Sequence, residues 1–217
     1  MTGFILDDAS PEEIAAELET YGPVAEVLRE LAESSIRTQV SPEVAAAAAA
    51  KLREARDLLN SELGGASYGV RISDDGTSRA WGNTVIGKRN PLAPPLTIHH
   101  EDDRVWSEFD LGPAYEGPPT LVHGGVSAMI LDQMLGEGAA AAGHSGMTAY
   151  LTCHYRQPTP LGRLTAEARV ERVEGWKCWM VGHISGPDGV TVEAEGLFIR
   201  PRWAREVPDE RAALRFD

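Results

Sequence analysis

The segment Gly124–Gly136 constrains the fold more than any other part of the chain. It reads GGVSAMILDQMLG, leads into a run of alanines, and carries a single charge, Asp132, before Glu137. A helix that is apolar nearly all round is a buried helix. Four long segments with strand-like alternation follow it, and a sheet curled around the helix covers both sets of apolar faces. The sequence therefore predicts an α+β domain in which an antiparallel sheet wraps around one long central helix.

Alternation of apolar and polar residues predicts the strands of this sheet. Between Leu164 and Glu171 the two kinds of residue alternate, which indicates a strand with one buried and one solvated face. The turn residues Pro187-Asp188-Gly189 predict a hairpin between the last two strands. The predicted strands are 67–73, 95–100, 103–110, 147–156, 162–173, 176–186 and 189–200.

The first 66 residues predict a helical extension instead of further strands. Ser10-Pro11-Glu12-Glu13 forms a capping box, so a helix is predicted from there to about Glu33, broken into two pieces at Tyr21-Gly22-Pro23. Ser41-Pro42-Glu43 starts a second helix, which Gly64-Gly65 ends. The chain is accordingly divided into a helical extension at 1–66, a domain of sheet and helix at 67–203, and a C-terminal tail at 204–217.

The charge and cysteine content exclude several classes of protein. The 217 residues include 33 acidic and 20 basic side chains, a net charge of −13, which argues against a nucleic-acid or anionic-membrane partner. Two cysteines without a C-x-x-C motif predict neither a disulfide framework nor a zinc site, and we expect no metal. Neither a signal peptide nor a membrane span is expected, so the predicted location is the cytoplasm.

The helix start predicts an anion-binding or oxyanion site. Gly124 and Gly125 follow His123 directly, and the first N–H groups of a helix have no intrahelical acceptor. Without Cβ atoms to block approach, such amides can hold a polarised oxygen. Alternatively, the two glycines only permit a tight turn into the helix.

Asp132 is the residue in the central helix that most needs an explanation. A carboxylate in a buried helix costs several kcal/mol unless it is hydrogen-bonded, paired or open to a solvated pocket. At 100° per residue it shares a helix face with small residues, so we expect open volume in front of it. The prediction is a reacting group in a cleft, and the alternative is a close-packed helix in which Asp132 accepts from a backbone N–H. The small residues on this face are Gly125, Ala128, Gly136 and Ala139.

Several motifs in residues 91–201 occur in a specific order. A His-Gly-Gly motif is followed nine residues after its His by an acid, and a Thr-Ala-x-Leu strand begins sixteen residues after the acid. The motifs are Gly117-Pro118-Pro119, Val122–Val126, Asp132, Met147–Leu151 and Tyr155–Pro160. With these motifs, residues 91–201 resemble the hotdog-fold acyl-CoA thioesterases of the PaaI type and, within them, the THEM4-like branch.

This resemblance implies a hotdog fold and a homodimer, or a dimer of dimers, with each active site at the subunit interface. The implied catalytic acid is Asp132, the substrate-contacting histidine is His123, and the threonine that positions water or substrate is Thr148. The amides of Gly124 or Gly125 would hold the thioester oxygen. Contacts to the coenzyme A nucleotide are implied near His154, Arg156 and Lys177.

The implied reaction is hydrolysis of an acyl-CoA to a free acid and coenzyme A, with no cofactor. Asp132 would act either as the general base that activates water or as a nucleophile that forms a mixed anhydride. A non-catalytic acyl-CoA sensor with the same fold is the alternative. The role of the N-terminal extension stays open: it could cap the acyl tunnel, cover a sheet edge or bind a partner.

Overall fold

The computed structural model describes residues 4–65, 67–73, 77–205 and 215–216. The helices are α1 (Pro11–Arg37), α2 (Pro42–Leu59) and α3 (Gly124–Ala141), with short 3-10 helices at Pro113–Tyr115 and Arg202–Ala204. The strands are β1 (Phe4–Leu6), β2 (Val70–Ile72), β3 (Thr77–Arg79), β4 (Ile98–His100), β5 (Val105–Leu111), β6 (Met147–Tyr155), β7 (Gly162–Glu174), β8 (Lys177–Gly186), β9 (Gly189–Ile199) and β10 (Arg215–Phe216).

A six-stranded antiparallel sheet forms the main layer of the described part of the chain. Its strand order is β4-β5-β7-β8-β9-β6, and every neighbouring pair is antiparallel. The sheet curves around α3, which contacts strands β5 to β9. Ile130, Leu131, Met134 and Leu135 of α3 have no exposed surface. The predicted α+β hotdog arrangement, with a buried central helix inside an antiparallel sheet, is confirmed.

The long strands lie where the sequence predicts them, and the short ones do not. The strand predicted at 95–100 is reduced to Ile98–His100, because Pro94 and Pro95 have no N–H to donate to a ladder. The short strands β1, β3 and β10 are not predicted, since segments of two or three residues show no period. They join β2 in a second sheet with the order β1-β2-β3-β10, in which β1 pairs with β2 in parallel.

The predicted break of the first helix at Tyr21-Gly22-Pro23 is wrong. Helix α1 runs without interruption from Pro11 to Arg37, and Pro23 lies inside it. The halves of α1 before and after Pro23 both bind the loop at residues 89–90. Glu17 forms an ion pair with the Arg89 guanidinium at 2.9 Å. Arg29 donates a hydrogen bond to the Asn90 carbonyl at 3.2 Å. This shared anchor offsets the one hydrogen bond that the proline removes.

The second helix begins after its N-cap Ser41 as predicted but ends earlier than predicted. Asn60 is the C-cap, and its N–H donates to the carbonyls of Arg56 and Leu58, so the helix stops before Gly64-Gly65. None of the residues in α2 is buried.

The boundaries at 1–66, 67–203 and 204–217 remain predictions. Residue 66, on which the first boundary depends, and residues 206–214 and 217, which make up most of the tail, lie outside the described residues. Over the part of the chain that is described, no helix combines the length and apolar composition that crossing a membrane requires.

Candidate active site

Helix α3 begins at a histidine cap. His123 is the N-cap with φ −62° and ψ 130°, and its Nδ1 accepts the Gly125 N–H at 3.0 Å. A ring nitrogen that accepts a hydrogen bond carries no proton, so the proton of the neutral imidazole is on Nε2. The capping interaction therefore uses the Gly125 amide and leaves the His123 Nε2–H free to face a ligand, since this side chain is exposed.

Of the two glycine amides, that of Gly124 has no acceptor among the described residues, as expected for the first residue of a helix. On its other side, the Gly124 carbonyl accepts the Tyr155 hydroxyl at 2.8 Å. A Cβ atom at position 124 would lie 3.2 Å from the tyrosine ring, so a larger residue here would require the ring to move by a few tenths of an ångström. Of the two amides that the sequence proposes for the oxyanion, only that of Gly124 is free in this structure.

Asp132 lies two turns further along the helix and is half-buried. Its Oδ1 accepts the Thr148 hydroxyl at 2.9 Å, which joins the predicted acid to the predicted threonine. The alternative in which a backbone N–H holds this carboxylate is not what the structure contains. Asp132 also raises the pKa of the nearby Cys153 thiol, although burial is the larger cause of that shift.

A β-bulge places Thr148 on the helix side of the sheet. Thr148 pairs with Phe198 and Leu151 pairs with Gly196, both of which are buried against the helix. Residues three apart in a regular strand face opposite sides, but the register shifts between Thr148 and Tyr150, so Ala149 is the extra residue. Without this bulge the threonine hydroxyl would face away from Asp132.

The stripe of small residues around Asp132 is open only at one end. Gly125 is exposed and Ala128 is half-buried, whereas Ala139 has no exposed surface. A Cβ atom at Gly136 would lie 3.4 Å from the Phe198 ring, so this end of the stripe serves close packing of helix on sheet. The open volume predicted in front of Asp132 therefore does not extend to Gly136 and Ala139.

A second acid in α3, Glu137, was not predicted as a feature of the site. It is 2% exposed and accepts the Gln133 side-chain amide at 2.7 Å, while Gln133 accepts from Asn83 at 3.3 Å. Burial raises the pKa of the Glu137 carboxyl to about 7. The signal in the sequence was a second charge in the same apolar helix.

The predicted contacts to coenzyme A are not brought together within one protomer. His154 and Arg156 line a groove of about 480 Å³ on the outer face of the sheet, opposite to the face that carries Thr148. Arg156 already forms an ion pair with Glu193 at 2.7 Å. Lys177 starts β8 and lies six residues from His183 of the groove, or about 20 Å at 3.3 Å per residue.

Asp132 and the free amide of the same protomer are too far apart to act on one carbonyl group. Eight residues separate Gly124 from Asp132, which is about 12 Å along the helix axis. Strand β6, which carries Thr148, is the outermost strand of its sheet, so one of its edges is unpaired within the described chain. Among the described residues, no group of three or more His, Cys, Asp or Glu side chains is placed to hold a metal ion.

Comparisons of the sequence give a consistent set of relatives. The family model described as "Thioesterase superfamily" matches residues 120–178. "Acyl-coenzyme A thioesterase THEM4" of Xenopus laevis is 39% identical over 95 residues, which cover 42% of this chain and 43% of that protein. "Acyl-coenzyme A thioesterase THEM5" of Mus musculus is 32% identical over 108 residues, covering 48% and 44%. The chain spans less than half the length of these curated relatives.

A solved structure matches over nearly the whole length. A crystal structure described as that of a thioesterase superfamily protein is 31% identical and has a TM-score of 0.74, covering 90% of this chain and 93% of that chain. A match this long includes most of the N-terminal helical region as well as the sheet.

Proposed function

The chain belongs to the thioesterase superfamily, and on this premise we propose that it is an acyl-CoA thioesterase. It would hydrolyse an acyl-CoA to a free carboxylic acid and coenzyme A. The single observation that carries the proposal is the Asp132 carboxylate, held by the Thr148 hydroxyl at 2.9 Å beside the unpaired edge of β6. The names of the THEM4 and THEM5 relatives support acyl-CoA as the substrate class.

The chemistry follows from the free groups at the site. As general base, Asp132 takes a proton from water while the water oxygen attacks the thioester carbon. The Gly124 N–H holds the oxygen that becomes negative, and breakage of the carbon–sulfur bond releases the coenzyme A thiolate, which then takes up a proton. The Thr148 hydroxyl occupies one carboxylate oxygen and leaves the other for the water.

A nucleophilic role for Asp132 is the other route to the same products. In that route the carboxylate attacks the thioester carbon, the thiolate leaves, and water hydrolyses the mixed anhydride. Appearance of ¹⁸O from labelled water in the Asp132 carboxyl group after a single turnover would establish this route, because the label reaches that group only when water attacks the aspartyl carbonyl of the anhydride.

The site is completed by a second protomer in this proposal. The separation of about 12 Å between Gly124 and Asp132 supports pairing of the Gly124 amide of one protomer with the Asp132 carboxylate of the other. An unpaired edge strand is a template for another strand, so the edge of β6 supports a homodimer that could further assemble as a dimer of dimers. His123 would donate from Nε2 to the substrate.

The coenzyme A phosphates need positive charge on an acidic protein. We assign this role to His154, Arg156 and Lys177, with Arg156 exchanging its partner Glu193 for a phosphate oxygen. Because His154 and Lys177 lie far apart in one protomer, they would serve either different phosphates or different sites of the assembly.

The test is replacement of Asp132 by Asn in the full chain. Asp132→Asn keeps the shape and the hydrogen bond from Thr148 but removes the basicity, so turnover should fall by about three or more orders of magnitude with acyl-CoA binding retained. Release of free thiol from acetyl to palmitoyl thioesters is the measurement. Asp188→Asn in the exposed turn between β8 and β9 is the matched control, since Asn-Gly suits that turn equally well.

Two outcomes contradict the proposal. Turnover of Asp132→Asn close to that of the parent chain removes Asp132 from the mechanism. Binding of acyl-CoA by the parent chain without release of thiol across the panel favours the non-catalytic sensor.

A further inference from the structure

The peptide group between Gly124 and Gly125 is held at both of its polar atoms. Its carbonyl accepts the Tyr155 hydroxyl at 2.8 Å, and its N–H donates to His123 Nδ1 at 3.0 Å. Neither contact involves the neighbouring Gly124 N–H, which stays without an acceptor among the described residues. Two side chains thus fix the plane of one peptide and leave the adjacent amide free.

The preceding peptide group, which carries the Gly124 N–H, is held through the His123 carbonyl. That carbonyl accepts the Val126 and Ser127 N–H groups at 2.9 and 3.3 Å. The double contact on the next peptide adds to this by restricting the backbone angles of Gly124 itself. Without a Cβ atom, Gly124 has access to a wide range of φ and ψ, and the direction of its N–H follows from these angles. Fixing the next peptide plane limits that range. The ring of Tyr155 also packs closely against Gly124, since a Cβ atom at position 124 would lie 3.2 Å from it.

The backbone at Tyr155 is fixed by its neighbours, and the side chain, which is 56% exposed, is held by the hydrogen bond from its hydroxyl. It ends β6 opposite Val192, which has no exposed surface. The next two N–H groups, of Arg156 and Gln157, both donate to the Thr191 carbonyl at 2.8 and 3.2 Å. Burial raises the pKa of the Tyr155 hydroxyl above its ordinary value, so it keeps its proton at neutral pH.

We propose that Tyr155 is a positioning residue that aims the Gly124 amide at the substrate carbonyl oxygen through its hydrogen bond to the Gly124 carbonyl. This inference rests on the proposed thioesterase function. It adds a residue for which neither charge nor spacing in the sequence suggested a role, although Tyr155 stands at the start of one of the motifs.

The variant for the test is Tyr155→Phe, which keeps the ring against Gly124 and removes only the hydroxyl. In an Asp132→Asn background, where bound substrate persists, the infrared band of a ¹³C-labelled thioester carbonyl reports its hydrogen bond directly. We expect this band to lie at higher frequency with Tyr155→Phe than without it, because the amide is less well aimed. Tyr150→Phe, an exposed tyrosine of the same strand that faces away from α3, should leave the band in place.

Kinetics on the otherwise unaltered chain provide the second measurement. Tyr155→Phe should lower kcat about tenfold, less than the hundredfold or more expected for removal of an oxyanion donor, with KM changed by less than about twofold. A purely structural role would instead lower the melting temperature or raise KM.

The outcomes separate this inference from the proposed function. Thiol release by the parent chain together with an unmoved carbonyl band and an unchanged kcat in Tyr155→Phe overturns the role of Tyr155 alone. A parent chain that releases no thiol overturns the proposed function and the role of Tyr155 with it.

Discussion

Glu137 shows how a single residue of the central helix can set the pH dependence of the whole domain. It is buried, its hydrogen-bond donor is the neutral Gln133 amide, and burial raises its pKa from 4.5 to about 7. Because the pKa of Glu137 is higher in the folded than in the unfolded chain, its favourable contribution to the free energy of unfolding is fully present below about pH 4.5. That contribution is lost as the pH rises through about 7.

We therefore expect Glu137→Gln to stabilise the protein selectively at alkaline pH. The glutamine keeps the acceptor for Gln133 and cannot ionise, so the variant should be more stable than the parent by about 3 kcal/mol at pH 9 and by less than about 1 kcal/mol at pH 5. Urea unfolding across this pH range measures the difference. Glu171→Gln, at an exposed position, is the control. Parallel stability curves for the parent and Glu137→Gln contradict the prediction.

Asp132 stands out in the sequence by its charge, whereas Thr148 was named through the family resemblance and its contact with Asp132 is visible only in the structure. A carboxylate in an apolar helix stands out by residue type alone. Thr148 could not be assigned to the same face by alternation, because one extra residue, Ala149, reverses the side on which it lies. Tyr155 acts on a backbone carbonyl 31 residues away, a contact for which local sequence carries no signal.

At the scale of elements, the long strands with a clear period were predictable from the sequence. The short strands, and the continuity of helix α1 through Pro23, were not. Strands β7, β8 and β9 begin and end within about one residue of the predictions, because each is long enough to show its period. The three-residue strands of the second sheet are defined by pairing between distant segments. Helix α1 passes through Pro23 because of contacts to a loop more than sixty residues away.

Loss of one of these contacts should separate the two halves of α1. Arg89 binds Glu17 at 2.9 Å and lies over the Tyr21 ring at 3.9 Å, both before Pro23. Arg89→Ala should speed amide exchange about tenfold or more in residues 14–22, equivalent to about 1.4 kcal/mol, while residues 27–37 stay protected through Arg29. Hydrogen exchange with mass spectrometry measures both segments. Arg53→Ala on the exposed α2 is the control, and uniform exchange along α1 in Arg89→Ala counts against this account.

At the scale of the whole molecule, the two groups proposed for catalysis do not meet within one protomer. Helix α3 carries both the Gly124 amide and Asp132, and eight residues of helix separate them by about 12 Å along its axis. In the proposed homodimer, a two-fold axis would place the helix start of one copy near the acid of the other at two equivalent sites. The same symmetry makes the arrangement testable with two inactive variants.

The first variant is Asp132→Asn and the second is Gly124→Pro, which removes the N–H of Gly124 and nothing else that the helix uses. Proline is favoured at the first position of a helix, and His123 already has the φ and ψ of a residue before proline. The Tyr155 ring must give by a few tenths of an ångström to admit the new side chain. Each variant alone should have little activity.

Mixed dimers of the two variants should recover activity if the site is shared. In a mixed dimer, one site combines an intact amide with an intact acid and the other combines both defects. Random pairing of equal amounts therefore predicts about a quarter of the parent activity per protomer for the whole mixture and about half for the purified mixed dimer, compared with nearly none for either variant alone. Co-expression with two affinity tags and purification of the mixed species measures this directly. If the mixed species is as inactive as its parents, each protomer must build its site from its own residues, and the separation along α3 must be bridged by some other group.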